Sequence, residues 1–78
     1  MTRQMIESIE AALKPFWDQR SHARVLMQME RAVKTAINAE VVITMEYPGA
    51  LVRVWQGDDI HRLVVPAPVP ELLTSREL

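Results

Sequence analysis

Residues 41–65 read VVITMEYPGALVRVWQGDDIHRLVV. Apolar and polar side chains alternate through this stretch, the period of a strand with two unlike faces. Two turn signals, Pro48-Gly49 and Gly57-Asp58-Asp59, cut it into three strands: Val41–Tyr47, Ala50–Gln56 and Ile60–Val65. Pro48 and Gly49 suit the central positions of a type II turn, where glycine supplies a positive φ. Such a turn pairs Tyr47 with Ala50, and so sets Met45 opposite Val52 and Ile43 opposite Val54.

Upstream the period changes. As far as about Glu40 the apolar residues recur at helical spacing. The first helix is expected from an N-cap at Thr2 to about Lys14, with Met5, Ile6, Ile9, Ala12, Leu13 and Phe16 on its apolar face. Pro15 disfavours helical dihedrals at Lys14, so a break or kink is expected there, with Phe16 and Trp17 at the corner. The second helix is expected from His22 to about Asn38, capped by Ser21. Val25, Leu26, Met29, Ala32, Val33, Ala36 and Ile37 fall on one side of it. Arg20, Arg24, Arg31 and Lys34 fall on the other, with Glu30 one turn before Lys34.

The fold class is therefore α+β: two N-terminal helices packed on one face of a three-stranded antiparallel β-meander, followed by a short C-terminal helix or tail. Residues 1–65 form one domain. Residues 66–78 form a Pro-rich extended tail, in which Pro70 can open a short helix over Glu71–Glu77.

Alternation sorts the sheet into two faces. One carries Val41, Ile43, Met45, Tyr47, Val52, Val54, His61, Leu63 and Val65, and is the expected core face. The other carries Val42, Thr44, Glu46, Leu51, Arg53, Trp55, Ile60, Arg62 and Val64. A solvated sheet face is normally polar. Here Trp55, Leu51 and Ile60 stand together with Arg53 and Arg62 beside them, the composition of an interaction surface. Burial of this face beneath Phe16-Trp17, or beneath Val69, Leu72 and Leu73 of the tail, is the less favoured alternative. Neither edge strand contains a proline or lysine that would discourage pairing, so a homodimer closed through a sheet edge is expected.

Composition narrows the function classes. The chain has 78 residues, a length at which one core is small and oligomerisation is a common remedy. It has no cysteine, which excludes disulfides and thiolate metal sites and fits a cytoplasmic protein. No apolar run approaches the length of a membrane span, so no membrane partner is expected. Net charge is −1, with arginine outnumbering lysine seven to two.

No constellation carries catalysis. His22 and His61 are the only histidines and have no ligand spacing, so no metal site is expected. Asp58-Asp59 beside Gly57 is ordinary turn chemistry. The serines have no nucleophile elbow, and two glycines cannot build a phosphate loop. No cofactor is expected, and the chain is read as a non-enzyme. The stripe Arg20, Arg24, Arg31, Lys34 could follow a phosphate backbone, and Arg53, Trp55 and Arg62 could hold single-stranded bases. Against nucleic acid stand the negative net charge and Glu46, Asp58 and Asp59 near the sheet; a solvated helix face accounts for the stripe.

The reading that remains is a small protein-interaction module: an adaptor, assembly factor or inhibitor of a larger complex, of a kind that phages also encode. It would bind a protein partner of unknown identity through Trp55, Leu51, Ile60, Arg53 and Arg62. Nucleic-acid binding through the helix stripe or the Arg/Trp face is the alternative.

Overall fold

A computed structural model describes residues 1–19 and 22–68. It contains helix α1 (Arg3–Leu13), a 3-10 segment (Lys14–Gln19), helix α2 (Ala23–Ile37) and strands β1 (Glu40–Glu46), β2 (Gly49–Gln56) and β3 (Asp59–Val65). The strands form one antiparallel sheet in the order β1-β2-β3. The α+β meander read from the sequence is the fold. The expected C-terminal helix, Glu71–Glu77, lies outside the described residues.

Each helix begins and ends for a local reason. The Thr2 hydroxyl accepts the Met5 N–H at 3.2 Å and so satisfies one of the open donors of the first turn of α1. At the other end, Lys14 stays helical (φ −51°, ψ −44°) despite the proline that follows. The chain does not break at Lys14. It tightens into the 3-10 segment, which carries Pro15 at its second residue, where a missing N–H costs least. In α2 the N-cap position belongs to His22, which makes no side-chain capping bond. Ser21, the expected cap, lies outside the described residues. Asn38 ends α2 in the left-handed region (φ 53°), and its N–H reaches the Lys34 carbonyl at 2.8 Å.

The sheet register differs from the expected one by two residues. Ile43 faces Val52, Met45 faces Ala50 and Val41 faces Val54. The first turn is centred on Tyr47 and Pro48, joined by a cis peptide bond, rather than on Pro48 and Gly49. Gly49 does not adopt a positive φ. It pairs with Glu46 and opens β2, and a Cβ there would collide with the Val65 carbonyl oxygen and crowd Pro66 Cα, 3.1 Å away. The glycine therefore serves close approach between β2 and the end of β3. A shift of two leaves the faces unchanged, because side chains alternate with period two. In the second turn Gly57 has φ 62°, as the first central position of a type II′ hairpin requires.

Every buried sheet side chain lies on one face: Val41, Ile43, Ala50, Val52, Val54 and Val65. Ile9 and Leu13 of α1 and Val25, Met29 and Val33 of α2 cover them. Tyr47, assigned from the sequence to this face, is in the turn and exposed. Trp17 is buried within the same cluster and Phe16 packs against it. The corner aromatics thus complete the core beneath the helices and do not cover the opposite face of the sheet.

Candidate functional site

With both helices on one side, the other side of the sheet carries no helix among the described residues. Strand pairing arranges its side chains in rows. Glu40, Trp55 and Ile60 form one row; Val42, Arg53 and Arg62 the next; Thr44, Leu51 and Val64 the third. All five residues singled out from the sequence, Leu51, Arg53, Trp55, Ile60 and Arg62, are brought together here. Val64 (61 % exposed), Ile60 (45 %) and Val42 (39 %) are open to solvent, while Leu51 and Trp55 on the central strand are half-buried among their neighbours. A set of apolar side chains this exposed is unusual for a sheet face in contact with water.

The middle row holds two cations. The β2–β3 hairpin closes through a two-residue turn, so Gln56 and Asp59 form a hydrogen-bonded pair and alternate pairs follow from it. Arg53 and Arg62 fall on a non-hydrogen-bonded pair, where facing side chains come closest. Arg53 donates from Nη2 to the Thr44 hydroxyl at 3.3 Å. Its Nε is withdrawn from water and has no hydrogen-bond partner. Among the described residues neither arginine forms an ion pair; the ion pairs found there are Arg3–Glu7 and Lys34–Glu40.

The two sheet edges are not alike. On β1, Val41, Ile43 and Met45 turn their peptide groups away from β2. The Ile43 N–H is taken by Glu30 Oε2 of α2 at 2.9 Å, so this edge is partly closed by a helix side chain. The sequence suggested instead that Glu30 serves Lys34. Lys34 pairs with Glu40, 3.5 Å away, leaving Glu30 to the strand. A cleft of about 390 Å³ opens beside this edge, lined by Glu30, Lys34, Glu40, Val41, Val42 and Trp55. On β3, Ile60, Arg62 and Val64 turn their peptide groups outward, and their side chains are exposed as well.

The second candidate surface is less coherent. Arg24, Arg31 and Lys34 are exposed on α2, but Lys34 is engaged by Glu40. Arg20 lies outside the described residues. Val69, Leu72 and Leu73, the proposed tail cover, do so too. His61 is half-buried on the core face, and His22 is exposed at the start of α2. Among the described residues no three histidine or acidic side chains converge as a metal site, and no helix is long and apolar enough to cross a membrane. No known protein family matches the chain, and neither a curated protein nor a solved structure does.

Proposed function

We propose that this protein is a non-catalytic interaction module, an adaptor, assembly factor or inhibitor of a larger complex. It docks another protein on the outer sheet face and the edge of β3, which no described strand pairs. The observation that carries this reading is the Trp55–Ile60 row: a tryptophan and an exposed isoleucine adjoin two arginines on a face that no described element covers. Tryptophan and arginine dominate binding hot spots because they combine large apolar area with directed polar contacts. An outward row of peptide groups on β3 adds the hydrogen bonds by which an extended segment joins a sheet.

The test compares the wild type with Trp55→Ala. Partners are captured after nuclease treatment and the binding is remeasured with purified components. The variant is expected to retain its helical circular dichroism and bind its partner about tenfold more weakly or worse, as loss of a hot-spot tryptophan costs about 2 kcal/mol. Unfolding of Trp55→Ala would instead make Trp55 part of the stability of the fold. The exposed β3 edge favours a second reading, a homodimer closed across a two-fold axis. Light scattering at concentrations on the order of tens of micromolar tests it, and a monomer mass rejects it.

A further inference from the structure

We propose that the outer face recognises a carboxylate. An extended segment of another protein, apolar apart from one aspartate or glutamate, pairs with β3 and sets that carboxylate beside Arg62, the outermost cation of the Arg53–Arg62 row. The inference rests on the docking reading above and adds the charge and spacing of the occupant.

The two guanidinium groups are an incomplete arrangement. Like charges on directly opposed strand positions repel each other, and here no acid of the described residues forms an ion pair with either. Arg53 turns toward β1, where its Nη2 donates to the Thr44 hydroxyl, so Arg62 is the cation nearest to a strand added beside β3. A carboxylate is the acceptor that guanidinium geometry fits, and it cancels the repulsion at the same time.

The surrounding charges select the kind of anion. Glu40 and Glu46 stand on β1 of the same face. Their negative charge opposes a polyanion such as nucleic acid, which must carry charge across the whole face. A single carboxylate on an apolar segment meets the arginines and avoids that rim. A second copy of this chain fits less well. Antiparallel pairing of β3 with itself at full overlap, centred on Arg62, would set Arg62 against its own copy and place four arginines in one row.

The spacing follows from the sheet. On a strand added beside β3, alternate residues share the outer face and stand opposite Ile60, Arg62 and Val64. The occupant is therefore read as an apolar residue, any residue, aspartate or glutamate, any residue, and a second apolar residue.

A random peptide library displayed on phage, selected separately on the whole wild-type chain, Arg62→Glu and Trp55→Ala, tests this directly. The wild type is expected to enrich the apolar–x–acid–x–apolar pattern. Arg62→Glu is expected to enrich lysine or arginine at the central position, and to bind the wild-type peptides about tenfold more weakly or worse by fluorescence anisotropy. Arg62→Gln, which removes the charge without reversing it, is expected to fall between them. Apolar peptides without a central acid, bound equally by wild type and Arg62→Glu, would overturn carboxylate recognition and leave the docking reading standing. Failure of the wild type to enrich any peptide over Trp55→Ala would remove both. Salt-steep binding of fluorescein-labelled oligothymidylate in place of peptides would assign the arginines to nucleic acid instead.

Discussion

Both faces of the sheet carry valine and isoleucine, and on the two faces these residues have opposite fates. Val41, Ile43, Val52 and Val54 are buried beneath the helices. Val42, Ile60 and Val64, one residue out of phase, are exposed. Hydrophobicity alone does not separate the two sets. What separates them is which face the helices cover, since burial is what converts apolar area into stability, at about 25 cal/mol per Å² removed from water. An apolar residue on the uncovered face contributes little to folding and keeps its potential for association.

A matched substitution gives the largest expected contrast. Ile43→Ala, at 4 % exposure, should cost about 2–5 kcal/mol, because it removes buried methyl groups and leaves a cavity. Ile60→Ala, at 45 % exposure, should cost less than about 1 kcal/mol. Urea denaturation of both variants measures the difference; equal losses would mean that Ile60 is as covered as Ile43.

The two edges permit a finer contrast. Glu30→Ala leaves the Ile43 N–H at the β1 edge without its acceptor, an expected loss of roughly 1–3 kcal/mol. It should also increase aggregation, as an uncapped edge becomes available for pairing. Glu30→Gln keeps an acceptor oxygen and should recover most of the loss. Equilibrium unfolding and light scattering of the two variants separate these outcomes. If alanine and glutamine behave alike, the bond from Ile43 contributes nothing to the protection of β1.

The smallest expected change has the opposite sign. Arg62→Glu replaces a like-charge cross-strand pair with an opposite-charge one and should stabilise the fold by about 0.2–1 kcal/mol at low salt. Thermal unfolding at low and high ionic strength checks this, because screening should diminish the gain. A substitution that raises stability while abolishing binding would mark Arg62 as retained for function at the expense of the fold. No gain at low salt would show that the two guanidinium groups already avoid each other.

Much of this was legible in residues 1–68. The capping of α1 by Thr2, the stop at Asn38 and both apolar helix stripes follow from short-range rules that need only a few neighbouring residues. The face assignment was equally robust, because period-two alternation survives a register error of two. The register itself was not legible. It depended on which residue pair formed the first turn, and Pro48-Gly49 carries the signature of one turn while the chain folds with another. Lys14 shows the same limit: a proline disfavours helix before it, yet packing of Leu13 and Trp17 into one cluster keeps the chain helical through that point.

By itself, the sequence determined the element order, the split of the sheet into two faces and the grouping of Leu51, Arg53, Trp55, Ile60 and Arg62 on one of them. These follow from periodicity, which is local. The tertiary structure decided that Trp17 joins the core rather than shielding that face. It also decided that Glu30 closes the edge of β1, and that Arg53 lies directly across from Arg62. Each of these is a contact between residues distant along the chain or set by register, and no local pattern specifies which of several apolar or charged partners a side chain will meet once the layers pack.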